Sequence, residues 1–289
     1  MSVYQQIKEK FIMKNAWKDW EEYRSQLTDI ILETNPESIC ITGAGRCNDI
    51  DLLRILNTAE RVICMDVDYE SMLSGTVNLP QNLRQKLELK AISLTGITEQ
   101  DMERFCNEML MFVRAGGKNL SYESIREYML KSIRELEDKM IQNECALQDI
   151  LLPQKVDRPE SLADVIVCSG VHSQLFSLLS FFLRSFINSI QEIVPDIHEA
   201  ETEIHKEIRL MNDRIIPVIN NSLLSMTGKT VIFGNEYNPQ NPVEGAYQCI
   251  LNVRDRMNPV EKHLIWDFNP IEGIRYEMLI QAVDGGRKK

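Results

Sequence analysis

Polar and apolar positions in the first 36 residues repeat at helical spacing, in two pieces. IKEKF is followed by NAWKDWEEYRSQLTDIILET, which places Trp17, Trp20, Leu27, Ile30 and Ile31 at apolar positions of one helix. Pro36 ends that pattern, because its ring disfavours a helical residue before it. The period then changes to that of buried strands. SICIT (38–42) is short and apolar and leads into DIDLLRIL, a short helix. RVICMD (61–66) predicts a second strand, and KLELKAISL (86–94), with alternation at Leu87, Leu89 and Ala91, a third. Residues 99–143 read as helical, with a break at Gly116-Gly117. Within them Ile125, Met129, Ile133 and Leu136 share one stripe, and Ser121 and Ser124 stand near its start. CALQDILLP (145–153) is short and apolar, and LADVIVCSG (162–170) is a Val/Ile-rich fourth strand. Helical patterns follow through SQLFSLLSFFLRSFINSIQEIV and, after Pro195, through IHEAETEIHKEIRLMNDRIIPVINNSLL. KTVIFGNE, AYQCILNV, KHLIWDF and RYEMLIQAV then read as strands separated by Asn, Pro and Gly turns.

Strands alternating with helices over the first 190 residues predict an α/β fold, a mainly parallel sheet with helices on both faces. KHLIWDF and RYEMLIQAV lack a helix-length spacer, so they predict a C-terminal antiparallel hairpin. The expected organisation is an N-terminal helical cap (1–36) and one large domain (37–289) carrying a helical insertion at about 99–143.

Composition narrows the setting. A chain of 289 residues with 44% hydrophobic residues can bury a sizeable core. The 7 cysteines include no CxxC pair, which argues against a zinc cluster or a disulfide framework. A polar N-terminus and the lack of an 18-residue apolar run predict no membrane partner and a reducing, cytoplasmic setting. The formal charge of -11 works against backbone adhesion to nucleic acid, which needs a positive footprint, so no nucleic-acid partner is expected.

The candidate chemistry begins at ICITGAGRCNDIDLL. Gly43-Ala44-Gly45 after a first strand lets backbone approach a ligand closely, because glycine has no Cβ. A dinucleotide fingerprint asks for a third small residue where Asn48 stands, and the chain has no GxxxxGK[ST] phosphate loop. About twenty residues on, Asp66 ends the second strand, where two carboxylate oxygens match two ribose hydroxyls. Asp68 competes for that role, and either acid is also suited to cap the next helix.

With RVICMDVDYESM as the acid-ending strand, LADVIVCSGVHSQL as the fourth-strand motif and the terminal hairpin, the sequence resembles the class I, seven-stranded S-adenosylmethionine-dependent methyltransferases over roughly residues 37–283. The resemblance implies a seven-stranded, mostly parallel sheet and S-adenosyl-L-methionine as cofactor. It puts Gly43, Ala44 and Gly45 on the methionine-and-ribose side, Asp66 at the ribose and Val67 beside the adenine, with Ser169 at the end of the fourth strand. The family often carries an acid near the end of its third strand at the adenine. Ser93 stands there in this chain, and Asp149 is the other candidate.

His172, directly after the fourth strand, is the candidate catalytic base, with a packing role open beside it. The family's Asn-Pro-Pro-aromatic signature for nucleobase or glutamine amines is absent, since the loop reads CSGVHS. No metal site stands out; Cys168 reads as a packed thiol, and His198, His205 and His263 are isolated. Tyr4, Trp17, Trp20, Tyr23, Tyr122 and Tyr128 either enclose an apolar substrate or fasten the added helices. The stripe from Ser173 to Leu224 is either a core helix pair or a homodimer surface. The expected activity is methyl transfer to an O, N or C nucleophile of a small-molecule substrate. A nicotinamide-dependent oxidoreductase and a noncatalytic protein with a degenerate cofactor fold are the alternatives.

Overall fold

SICIT, RVICMD and LADVIVCS are almost wholly apolar because both faces of their sheet are covered. The computed structural model describes residues 3–151 and 161–285, apart from the side chains of 118 and 144–151. Its seven strands are β1 (Ser38–Thr42), β2 (Arg61–Asp66), β3 (Leu87–Ala91), β4 (Ala163–Ser169), β5 (Thr227–Glu236), β6 (Val260–Asn269) and β7 (Ile274–Asp284). They form one sheet in the order 3-2-1-4-5-7-6. β1 pairs in parallel with both β2 and β4, with Ile39 opposite Val62 on one side and Val165 on the other. Only β7 is reversed, antiparallel to β5 and β6.

The helices are α1 (Val3–Lys10), α2 (Ala16–Asp19), α3 (Glu21–Glu33), α4 (Leu52–Thr58), α5 (Tyr69–Thr76), α6 (Gln81–Arg84), α7 (Glu99–Gly116), α8 (Tyr122–Leu151), α9 (Ser177–Ile190), α10 (Ala200–Met226) and α11 (Ala246–Met257). On one face, Tyr23, Leu27 and Ile31 of α3 and Ile55 and Leu56 of α4 pack on Ile39, Ile41, Val165 and Val167. On the other, α1 and α7 to α11 cover Cys40, Ile63, Ile166, Cys168, Val231 and Phe233. Each fully buried Ile, Leu or Val removes apolar surface worth about 1.5–3 kcal/mol from water, so the two layers fix the sheet from both sides. The stripe through α9 and α10 belongs to this second core: Phe182, Phe186, Ile190, Ile208, Ile215 and Ile219 are buried within the chain.

Three elements depart from the sequence reading. AYQCILNV is helix α11, not a strand: Ala246, Cys249, Ile250 and Val253 recur at i, i+3, i+4 and i+7 and are all buried. The second helix of the insertion does not stop near 143 but runs to Leu151, taking in most of CALQDILLP. Arg126–Glu203, Arg134–Glu207 and Arg214–Glu137 ion pairs run along its contact with α10. The third strand also ends at Ala91, three residues earlier than its pattern suggested.

α7 starts at a reciprocal cap. Thr98 accepts from the Asp101 N–H at 3.2 Å, and Asp101 accepts from the Thr98 N–H at 3.0 Å. The Lys139 ammonium lies 2.5 Å from the other Asp101 oxygen and joins α7 to α8. Burial alone would raise the Asp101 pKa, but Lys139 and Thr98 outweigh it and hold the carboxyl at about 2. Because the folded pKa is depressed, this stabilisation is complete above about pH 4 and is lost as pH falls through about 2. Asp101→Asn is expected to cost about 1–2 kcal/mol at pH 7. In urea unfolding the gap from the parent should narrow steadily between pH 5 and pH 2.5; a gap that stays constant would contradict the assignment.

Candidate functional site

The sheet order reverses beside β1, whose neighbours β2 and β4 are reached in opposite directions. A crevice beyond the carboxyl ends of β1, β2 and β4 is therefore where this topology admits a ligand. The chain leaves β1 into Gly43-Ala44-Gly45, with φ of +64° at Gly43 and +46° at Gly45, conformations that favour glycine. The Ala44 N–H donates to the Met65 carbonyl at 3.1 Å, and the Gly45 N–H donates to Asp66 Oδ2 at 2.8 Å. The end of β2 thus holds the turn in place.

The two glycines face different surroundings. A Cβ on Gly43 would fall 2.4 Å from a Val171 methyl, so that glycine is required by packing against the start of the β4 loop. A Cβ on Gly45 would meet nothing within 4 Å among the described residues. The turn has one closed side and one open side.

Asp66 and Asp68, either of which the sequence leaves open as ribose acceptor or helix cap, make different contacts. Asp66 Oδ1 accepts from the Asp68 N–H at 2.8 Å while Oδ2 takes Gly45, so both oxygens are oriented and each keeps acceptor capacity. Burial raises the Asp66 pKa, and the two N–H donors oppose that rise. Asp68 caps α5, accepting from the Ser71 N–H at 3.0 Å, and pairs with Lys8 of α1 at 2.8 Å. The same ammonium lies 2.5 Å from Glu99, so Lys8 fastens the N-terminal helix over the start of α5 and α7. Val67, between the two acids, is exposed at the rim.

The far end of the turn is held by residues that sequence reasoning did not single out. Arg24 is buried and donates to the carbonyls of Asn48 at 2.9 Å and Trp17 at 2.6 Å, with its guanidinium 3.7 Å from the Trp17 ring. Gly75 of α5 sits against the turn so closely that a Cβ there would lie 2.3 Å from the Arg46 carbonyl oxygen. Close packing against this part of the turn thus depends on a glycine in α5. A glycine inside the otherwise helical YESMLSGT was its only trace in the sequence.

On the β4 side, the Ser169 hydroxyl hydrogen-bonds the Tyr23 hydroxyl at 2.7 Å, and the Tyr23 ring stacks on Trp266 at 4.9 Å. Trp20 stacks on Phe268, and Tyr128 stacks on Phe112, so these three aromatics fasten helices to their neighbours. At the end of β5, Glu236 Oε1 accepts from Ser173 Oγ at 2.7 Å. His172 is buried, its Nε2 donating to Asn220 Oδ1 at 2.9 Å and its Nδ1 lying 3.9 Å from the Cys168 sulfur. Burial outweighs the hydrogen bond to Asn220, pulls the His172 pKa down to about 4 and keeps the ring neutral. Ser93 follows β3, with its hydroxyl 3.1 Å from that of Thr95. The neighbouring Ile92 N–H donates to the Asp66 carbonyl, which brings this loop beside β2. Asp149 lies in the last turns of α8, and its side chain is outside the described residues.

A surface depression of about 410 Å³ lined by Leu224, Thr227, Met257 and Asp284 lies at the opposite edge of the sheet, remote from the glycine turn. Among the described residues no helix is long and apolar enough to cross a membrane, and no His, Cys, Asp or Glu group is arranged to hold a metal ion.

Seven strands in the order 3-2-1-4-5-7-6, with β7 alone reversed, settle the architecture. The fold is the class I methyltransferase fold. No family model matches the chain, and no curated protein matches it. Among solved structures it is similar to the N-methyltransferase NodS from Bradyrhizobium japonicum WM9, at 9% identity and a TM-score of 0.46, covering 96% of this chain and 100% of that one. Magnesium protoporphyrin IX methyltransferase from Synechocystis PCC 6803 with bound SAM is similar at 10% identity and a TM-score of 0.42, covering 97% and 88%. An O-methyltransferase from Bacillus cereus in complex with SAH gives 9% and 0.42, covering 98% and 96%.

Gly75 offers a direct check on how this version of the fold holds its turn. Helix propensity favours Gly75→Ala by about 1 kcal/mol, whereas the contact with Arg46 should cost about 1–3 kcal/mol. A net loss of stability in urea unfolding is expected. A stabilised variant would mean that α5 does not press on the turn.

Proposed function

We propose that the chain is an S-adenosylmethionine-dependent methyltransferase acting on a small-molecule acceptor through an O, N or C nucleophile. The observation that carries this reading is the Asp66 carboxylate, oriented by the Gly45 and Asp68 N–H groups at the edge of a glycine turn with one open side. Those features fit a nucleoside: a fixed pair of carboxylate oxygens for adjacent hydroxyls, and bare backbone where a ligand must pass closely. Bound there, S-adenosylmethionine would supply an activated methyl group. Asp66 would take the ribose hydroxyls, Gly43 to Gly45 would line the ribose and methionine portion, and Val67 would flank the adenine. Ser93 stands beside that end and Ser169 beside the other. A methionine-bearing nucleoside has no pyrophosphate, which is consistent with Asn48 in the third position of the motif.

Displacement at a methyl carbon needs alignment more than proton transfer, so the protein's main task is to fix donor and nucleophile and to exclude water. We assign His172 to packing on this reading. Its Nε2 proton is committed to Asn220 and its Nδ1 faces the Cys168 thiol, so neither nitrogen is directed to a substrate.

Calorimetric titration with S-adenosylhomocysteine and, separately, with NAD tests the reading. The parent should bind S-adenosylhomocysteine, and Asp66→Ala should weaken it at least tenfold, about 1.4 kcal/mol or more. Unchanged affinity in Asp66→Ala would remove the ribose role. NAD binding without S-adenosylhomocysteine binding would replace the methyltransferase by the oxidoreductase.

A further inference from the structure

An ionisable group near the carboxyl edge that is only half accounted for is the carboxylate of Glu236. It ends β5, is 7% exposed, and directs Oε1 to the Ser173 hydroxyl at 2.7 Å. Its other oxygen, Oε2, is buried and has no hydrogen-bond partner among the described residues. Leaving a carboxylate oxygen dry and unpaired is costly in general, and burial accordingly raises the Glu236 pKa against the Ser173 hydrogen bond; such a group persists where a partner arrives from outside or where function retains it. No Lys or Arg is paired with it among the described residues; the ionisable groups it influences are the hydroxyls of Tyr23 and Tyr276.

Its position points inward to the place an acceptor must occupy. Ser169 and Gly234 are partners across β4 and β5, and Glu236 lies two residues beyond Gly234 on the same face of β5. Gly234 leaves room there only for the Ser169 side chain, since a Cβ would fall 2.4 Å from its hydroxyl oxygen. The Trp266 ring lies 3.4 Å from where a Gly170 Cβ would be, and Trp266 Nε1 is a buried donor without a partner among the described residues. The edge of β4 and β5 next to the glycine turn therefore combines an acid without a cationic partner among the described residues with the buried rings of Tyr23 and Trp266 and the half-buried ring of Tyr276.

We propose that Glu236 is the acceptor-recognition residue of this site and that it selects a cationic amine carried on an apolar or aromatic body. The proposal deepens the methyltransferase reading and rests on it. An ammonium supplies the charge and donors that Oε2 lacks, while aromatic faces favour both a cation and an apolar ring. A neutral alcohol would satisfy the hydrogen bond but leave the buried charge uncompensated, and a carboxylate would be repelled.

Benzylamine, benzyl alcohol and phenylacetate serve as probes, titrated calorimetrically into the chain saturated with S-adenosylhomocysteine. The expected order is benzylamine first, at least tenfold tighter than benzyl alcohol, with no measurable phenylacetate binding. Glu236→Gln keeps the shape and the Ser173 contact but removes the charge. It should abolish the amine preference and leave S-adenosylhomocysteine affinity within twofold of the parent. Should that variant not fold, Ser173→Ala is the second arm, expected to weaken benzylamine several-fold and benzyl alcohol not at all. Benzylamine binding no tighter than benzyl alcohol, or equal amine affinity in the parent and Glu236→Gln, would overturn the proposal while leaving the cofactor reading intact. Loss of S-adenosylhomocysteine affinity in Glu236→Gln would also overturn it, placing the residue on the cofactor's side. No S-adenosylhomocysteine binding by the parent would instead remove the methyltransferase reading itself.

Discussion

A single hydrogen bond, from the Gly45 N–H to the Asp66 carboxylate at 2.8 Å, ties the exit of β1 to the exit of β2. The rest of the carboxyl edge is arranged around it. The charge on the acceptor strengthens this bond, and partial burial of Asp66 raises its importance because water competes less well. Asp66 is oriented by the Asp68 N–H, Asp68 is fixed by capping α5 and by Lys8, and Lys8 brings α1 down against Glu99. The turn cannot shift without disturbing β2, the start of α5 and the N-terminal helix together. Gly75 and Arg24 then clamp its far end from α5 and α3.

The sheet explains why this cluster forms at all. β1 lies between β2 and β4 and is covered on both faces, so its residues are nearly all apolar and its register is fixed by both neighbours. Two independent layers hold it, α3 and α4 on one side and α7 to α11 on the other. The mobile parts of any ligand would meet a rigid base, with recognition carried by the loops after β1, β2, β4 and β5. In that arrangement the acid ending β2 and the acid ending β5 stand on opposite sides of the strand-order reversal. One is satisfied by backbone donors and the other is not, and the proposed division into a cofactor side and an acceptor side follows from that difference.

Much of this was readable from local pattern. β1, β2 and β4 announce themselves because burial on two faces leaves continuous apolar runs, and the short link between KHLIWDF and RYEMLIQAV leaves room only for a hairpin. AYQCILNV reads as a strand because eight mixed residues are too few to separate the two periods, and only burial of the adjacent pair Cys249 and Ile250 does so. The roles of Gly75, Arg24 and Glu236 and the partner of Tyr23 were not legible, because each depends on a residue far along the chain. Tyr23 meets Ser169 across 146 positions, and Ser173 meets Glu236 across 63. The division of labour between Asp66 and Asp68 is of the same kind: two acids two residues apart look alike until the glycine turn folds over one of them.

A crystal structure of the chain grown with S-adenosylhomocysteine tests the central claim most directly. The account predicts both ribose hydroxyls on the Asp66 oxygens, the ligand backbone against the open side of Gly45, and the sulfur directed to the β4–β5 edge where Ser169 and Glu236 lie. A ligand bound elsewhere on the sheet, or one lying in the crevice with its ribose away from Asp66, would contradict it.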